Sequence, residues 1–421
     1  MMKKYLWMMT VSCALGLFAA GCGKIDTDGD RDNAYTPISL TTKQSALVSD
    51  GNAFSYRFIG QIDAYARYKE QTDWFVSPLS LQMALGMLLN GAQGQTANEI
   101  CRMLGYGDGE TAEINNYFRL LLDQLPKLDQ KTDLALANAI FHNKDISLKA
   151  PFRDAVNKSY DAQLQALDFS KTKSAAGTIN DWCKEQTKGM IPSVLDEVDP
   201  SALAYLVNAL YFKSQWRDKF PKGNTASEKF TREDGSTVKV KMMKLAGSTF
   251  NYGENDVYQA VQLPYGNGAY AMTVLLPNKG QTTGDIAARL AKDGGIAFDA
   301  ENPSVKAIVD LWLPRFETKY HILLNDVLQY MGMNRAFDPF LADFLAMSDR
   351  QSHVDFVQQD AVIKVDEDGS EAAAVTVIGV KFNAIGATRE VVFHADHPFI
   401  YLITEYSTGV VLFAGQYAAG L

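Results

Sequence analysis

Two serine–lysine pairs, Ser170–Lys173 and Ser236–Lys239, have the SxxK spacing with which a lysine amine can activate a serine nucleophile. That chemistry needs the serine at the opening of a helix, with the lysine one turn on. Ser170 instead follows a strand-like run in a Lys-rich turn. Ser236 follows Asp234-Gly235 and enters the alternation Val238, Val240, Met242, which reads as a hairpin. The five histidines, His142, His321, His353, His394 and His397, fall in no HExxH or Cys/His zinc spacing, and neither GxSxG nor GxxxxGK[ST] occurs. Asp26, Asp28 and Asp30 imitate the start of a calcium loop, but Arg31 stands where the turn glycine belongs and Pro37 where the bidentate glutamate belongs. These patterns support neither an enzyme nor a metal or cofactor site.

The elements that could position chemistry come from a chain of 421 residues, enough for one large domain or two ordinary ones. Hydrophobic residues at 47% and charged residues at 21% describe a folded globular protein. Lys plus Arg total 40 against 49 Asp plus Glu, a formal charge of −9 with pI near 5.2. No global basic field is available to displace counterions, so nucleic acid is not an expected partner. A mean hydropathy of −0.13 excludes a polytopic membrane protein.

Lys3 and Lys4 precede an uncharged run from Tyr5 to Gly21, with small Ala19, Ala20 and Gly21 just before Cys22. A basic start, a short apolar stretch and small residues predict an export signal, residues 1–21, too short for a spanning helix. Small residues before a cysteine resemble the lipobox of bacterial lipoproteins, with Ala19 where Leu is usual. That resemblance implies that Cys22 carries the lipid anchor and that the membrane is met only through it. The expected location is the cell envelope or surface, with simple secretion as the alternative. Residues 22–42, with Asp26, Asp28, Asp30 and Asp32, read as a solvated acidic tether. Cys101 and Cys183 remain, both in helix-like contexts, and are expected as buried free thiols.

From about residue 43 onward no linker, low-complexity block or repeat interrupts the chain. Phe54, Phe58, Ile62 and Tyr65 have helical spacing, and further helices are predicted over Leu79–Asn90, Asn98–Leu104, Glu110–Leu125, Pro151–Tyr160, Thr178–Thr187 and Leu323–Met331. Strands are predicted over Leu134–Phe141, Leu164–Phe169, Leu203–Phe212, Val238–Met243, Val257–Leu263, Ala269–Leu276, Val305–Leu313, Ala361–Val365, Pro398–Thr404 and Val410–Gln416. Helices dominate early and strands late without βαβ alternation, which predicts a mixed α+β single domain.

After the strand-like Ala361–Val365 comes Glu367-Asp-Gly-Ser-Glu-Ala-Ala-Ala-Val-Thr376. A loop would use more Pro and Asn, and a helix would carry an apolar stripe. At period two, Ser370, Ala372, Ala374 and Thr376 share one uniformly small face, while Glu371, Ala373 and Val375 share the other. Such a segment could slide into a crowded sheet as a new strand. No proline occurs from Phe340 to His397, so ladder hydrogen bonds are open to it. From these residues alone an Ala-rich surface helix or linker is an equal alternative.

The segment resembles the hinge of the serpins, with a Glu (Glu367), a Gly (Gly369), a Ser (Ser370) and small residues (Ala372, Ala373, Ala374, Thr376) leading into a reactive loop. The likeness extends over about residues 45 to 420. Phe75-Val-Ser-Pro-Leu-Ser80, Ala84-Leu-Gly-Met and Gly91-Ala-Gln-Gly-Gln-Thr resemble the family's early helix. Asn208-Ala-Leu-Tyr-Phe-Lys-Ser-Gln-Trp216 resembles the strand leading to the point where loop insertion begins. Leu263-Pro-Tyr, Leu276-Pro, Leu313-Pro-Arg-Phe, Ala342-Asp-Phe and His397-Pro-Phe follow in family order.

The resemblance implies a serpin fold over residues 43–421, with three β-sheets, eight to nine helices and an exposed loop over about 367–397. It implies a monomer that traps a serine peptidase, or a cysteine peptidase, as a covalent complex by inserting its cleaved loop. A non-inhibitory binding or structural role is the alternative. The family's hinge-to-bait spacing counted from Glu367 falls on Asn383–Ala384; counting back from Pro398 falls near Ala387, so the loop is longer than usual. Phe382, Lys381 and Arg389 are the other candidate bait residues. Many serpins place a His beneath the sheet opening, bonded to an early-helix serine. Gln359 stands at that position here, with Ser77 and Ser80 retained; Gln can donate and accept, so the contact is expected to persist.

Overall fold

Helix α1 (Thr42–Tyr68) begins where Thr41 and Gln44 form a reciprocal capping box, and its apolar side, including Phe54, Phe58, Ile59 and Ile62, is buried. The computed structural model describes residues 33–298, 305–370 and 389–419. The other helices are α2 (Pro78–Leu89), α3 (Gly94–Leu104), α4 (Thr111–Gln124), α5 (Ala150–Tyr160), α6 (Thr172–Gln186), α7 (Thr283–Asp293) and α8 (Asn325–Tyr330). The strands are β1 (Trp74–Val76), β2 (Asp133–Asn143), β3 (Gln163–Leu167), β4 (Ala204–Gln215), β5 (Ala226–Thr231), β6 (Thr237–Glu254), β7 (Tyr258–Pro264), β8 (Tyr270–Pro277), β9 (Val305–Pro314), β10 (Phe316–Leu323), β11 (Gln358–Asp366), β12 (Gly369–Ser370), β13 (Arg389–His394), β14 (Phe399–Glu405) and β15 (Val411–Tyr417). This is the expected α+β fold, and the described residues from Tyr35 onward form one unit.

The central sheet has the order β10-β11-β12-β4-β2-β3. The second set runs β1-β15-β14-β8-β7-β6-β9-β13, with β5 also on β6. Hydrogen bonding traces two sets because the long β6 is shared. Its first part pairs with β5 and then β9, its register shifts between Leu245 and Ser248, and its last residues pair with β7. Helix α2 is apolar nearly all round and therefore buried, entered through Ser77, whose side chain caps Ser80 N–H. On the opposite face of the central sheet, α6 packs Ile179 and Trp182 against Phe141 and Ala209.

Several elements differ from the sequence expectation. Helix α6 begins at Thr172, earlier than expected and two residues after Ser170, whose hydroxyl donates to Asp168 Oδ1 at 2.6 Å, whereas Ser236 sits in the β5–β6 hairpin turn as its sequence context predicts. Helix α7 carries a capping box at Thr282 and Asp285, and β10 alternates buried Phe316, Thr318, Tyr320 and Ile322; both signals are legible in the sequence. The segment assigned above to the tether docks on the fold from Tyr35 onward. Tyr35 donates to the fully buried Glu405 at 2.9 Å and Ile38 is buried, so the aspartate-rich stretch ends before the assigned boundary. Cys101 and Cys183 are buried free thiols, and burial pushes them up to about 11 and about 12. Cys22 and the expected signal lie outside the described residues.

Candidate functional site

The two residues of β12 stand between β4 and β11 and are antiparallel to both. Ser370 is paired with Val365 on one side and Ser214 on the other; Gly369 is paired with Asp366 and Gln215. Glycine is required here by close approach. A Cβ at Gly369 would lie 2.1 Å from the Ser214 carbonyl oxygen and 2.7 Å from Gln215 Cα, both backbone atoms that cannot swing aside. Ser370 is buried, and its hydroxyl lies 2.7 Å from Tyr265 Oη; the Tyr265 ring stacks on Trp216 at 4.5 Å.

The turn before β12 is held by charge and backbone together. Glu367 is 2% exposed, ion-pairs with Arg315 and accepts from Thr225 Oγ1 at 2.6 Å. Burial alone would push its carboxyl up, but the hydrogen bonds from Arg315 and Thr225 and the Arg315 charge hold it below the usual carboxylate range. The Trp216 indole donates to the Asp366 carbonyl at 2.8 Å, and its backbone N–H donates to the Asp368 carbonyl at 2.9 Å. Asp368 is held by Lys222 at 2.8 Å and Lys219 at 3.4 Å, which lower its carboxyl too.

Beyond Ser370, β4 and β11 form no ladder with each other among the described residues. They line a cavity of about 610 Å³ floored by α2 and bordered by α6. Gln359 spans part of it: its Oε1 accepts from Ser77 N–H at 2.8 Å and its Nε2 donates to the Ser77 carbonyl at 2.9 Å. The expected contact is thus made to the backbone of Ser77, while the Ser77 hydroxyl donates to the Leu412 carbonyl at 2.7 Å. Asn208 also lines the cavity. Its Nδ2 donates to Asn138 Oδ1 at 2.7 Å, but its own Oδ1 is buried without a hydrogen-bond partner among the described residues.

Of the other residues singled out in the sequence, Ala372, Ala373, Ala374, Thr376, Lys381, Phe382, Asn383 and Ala384 lie outside the described residues. Arg389 opens β13, pairs with Ala307, and its guanidinium meets Glu254 Oε1 at 2.9 Å over the Tyr252 ring. Sequence reading missed Arg315, Thr225, Tyr265 and Asn138. Arg315 lies within the Leu313-Pro-Arg-Phe run, but its pairing with Glu367 is a tertiary fact that no local pattern encodes.

The serpin (serine protease inhibitor) family model matches residues 50–419. The chain belongs to the serpin family. This serpin is 34% identical to an uncharacterised serpin-like protein of Thermococcus kodakarensis, over 99% of this chain and 98% of that protein. Its fold is similar to that of the thermophilic serpin tengpin in the native state, with TM-score 0.78 and 27% identity over 92% of this chain and 97% of tengpin. Human thyroxine-binding globulin, solved in complex with thyroxine, is also similar, with TM-score 0.77 and 26% identity over 89% and 98% of the two chains. Members of this family generally inhibit peptidases and are not enzymes.

Proposed function

We propose that this serpin is a suicide-type inhibitor of serine peptidases, presenting Asn383–Ala384 as bait. The peptidase serine oxygen attacks the Asn383 carbonyl carbon, the Asn383–Ala384 bond breaks, the amine of Ala384 takes up the proton, and an ester to Asn383 remains. Insertion of the freed loop as a strand carries the tethered peptidase away before water can hydrolyse that ester. Loop insertion by serpins is among the general examples of strand addition. The observation that supports this reading is β12 itself: the hinge has already begun a strand between two parallel neighbours that are otherwise unjoined among the described residues.

Extending both registers from Ser370 would set Ala372 between Phe212 and Ile363, Ala374 between Leu210 and Ala361, and Thr376 between Asn208 and Gln359. Those neighbours on β4 and β11 line the cavity, and the three incoming side chains are small enough to enter without overpacking it. The Thr376 hydroxyl would arrive beside the unpartnered Asn208 Oδ1. Arg389 is engaged by Glu254 and Tyr252 within a strand, which favours a bond earlier in the loop as bait. The reading includes a monomer held at the cell envelope by a lipid on Cys22; mass spectrometry of the mature N-terminus tests that part.

The deciding experiment mixes the mature protein with elastase-, chymotrypsin-, trypsin- and subtilisin-type peptidases and follows denaturing gels and peptide masses. A band at the summed mass and a released C-terminal peptide beginning at Ala384 are expected. Cleavage without an adduct under every condition would overturn the trap and leave a non-inhibitory carrier of the kind that thyroxine-binding globulin exemplifies.

A further inference from the structure

The β5–β6 hairpin has one apolar and one basic face. Phe230, Val238, Ala226 and Met242 turn toward the fold, with Phe230 and Met242 fully buried. On the other face Lys229 and Lys239 are direct cross-strand partners, and Lys241 follows two residues on, opposite Ser227. All three lysines are exposed, and none has an ion pair among the described residues. Like charges directly opposite each other destabilise a ladder. The carboxylates of the hairpin do not relieve them: Glu228 is on the other face and bound to Lys244, Glu233 pairs with Arg67, and Asp234 accepts from Ser236 N–H in the turn. An unneutralised lysine cluster is unusual on a chain of formal charge −9.

Its place in the fold says what it could meet. The Lys241 carbonyl accepts from Arg315 N–H at 2.7 Å, and Arg315 ion-pairs with Glu367, two residues before Gly369 of the hinge. Thr225, next to the start of β5, also bonds Glu367. The lysine face is therefore fixed to the turn that delivers Gly369 and Ser370 to the central sheet. We infer that Lys229, Lys239 and Lys241 form a docking surface for an acidic patch on the peptidase engaged with the loop. The inference rests on the proposed trap and adds a preference among its targets: peptidases with an acidic surface beside the cleft. Charges at the rim of an interface act mainly on the rate of encounter and on its salt dependence.

The test uses the full mature chain with Asn383→Arg, which offers anionic and cationic trypsin the same bond, with and without Lys229→Glu, Lys239→Glu and Lys241→Glu together. At low salt the triple change is expected to slow association with anionic trypsin by about tenfold or more, to leave cationic trypsin unslowed, and to lose its effect as salt rises. A Lys→Gln triple should fall between, and unchanged thermal melting of both sets shows that they fold. Equal effects on the two trypsins, or no effect on either, would overturn the docking surface while adducts still formed. If the loop is cut and no adduct forms with either enzyme, the trap fails; the cleavage rates then carry the same comparison and judge the surface separately. A difference that appears only on adding heparin would assign the face to polyanions and overturn the inference.

Discussion

Thr376 and Asn208 should become hydrogen-bonded partners only after the loop is cleaved. Among the described residues Asn208 Oδ1 is buried without a partner, while its amide group is committed to Asn138. The register begun at Ser370↔Ser214 reaches Asn208 at Thr376, and the register begun at Val365↔Ser370 reaches Gln359. Thr376→Val keeps the shape of the side chain and removes its only donor. One neutral hydrogen bond contributes about 1 kcal/mol net, and the range for a buried acceptor left unmade is about 1–3 kcal/mol. Asn208→Ala removes the acceptor, so the double variant should lose no more than the larger single loss. Guanidinium unfolding of all four proteins, before and after loop cleavage, gives two double-mutant cycles. A coupling of about 1 kcal/mol is expected in the cleaved form and none in the intact form. Absence of coupling after cleavage, or equal coupling in both forms, would refute the register and with it the place assigned to Thr376.

Gly369→Ala should expel β12 from its position, because the new Cβ meets backbone 2.1 Å away; faster amide exchange at Ser370 in the intact protein measures this, and unchanged exchange would contradict it. Arg315→Met should cost about 2 kcal/mol, less than the loss from a fully buried pair because the Arg315 side chain is 47% exposed. The lowered carboxyl of Glu367 stabilises the fold above the ordinary glutamate range, and that contribution is lost as pH falls through the lowered value; in Arg315→Met, where burial acts on the carboxyl without the arginine, this acid-dependent loss should shrink, read from urea midpoints between neutrality and acid. Ala374→Pro and Ala372→Arg should each convert the inhibitor to a substrate, seen as cleaved loop without adduct, because a proline loses a ladder bond and an arginine has no room between Phe212 and Ile363. Cleavage of the unaltered loop should raise the melting temperature sharply, and an unchanged melt would argue against insertion.

The parts of the fold that were legible are those whose cause is local. Helix α2 announces itself by Pro78 after a capping Ser77 and by a continuous apolar run; β8 and β14 do so by apolar runs long enough for buried strands. The extent of β6 was not legible. Its alternation stops at Met242-Met243, where both residues are buried, and the strand continues only because β9 and β7 take up its hydrogen bonds. The hinge shows the same division. Period two in Ser370, Ala372, Ala374 and Thr376 is a property of the sequence, and it says that a small-faced strand is possible. Where that strand would run is a tertiary property, set by the ladder partners of Gly369 and Ser370.

Gly369 joins these two kinds of information. In the sequence it reads as a hinge, a residue chosen for freedom of rotation. In the structure its essential property is the missing side chain, since the Ser214 carbonyl occupies the space a Cβ would need. A residue selected only for flexibility could sit one position to either side, but one selected for this contact cannot. The pairing of buried Glu367 with half-exposed Arg315 fixes the turn that delivers Gly369 to that contact. On the proposed trap, the first step of insertion would therefore be a seated, charge-locked structure in the intact protein. Cleavage would then not have to create a new site in the sheet; it would only have to release the far end of a strand whose near end is already paired at Gly369 and Ser370.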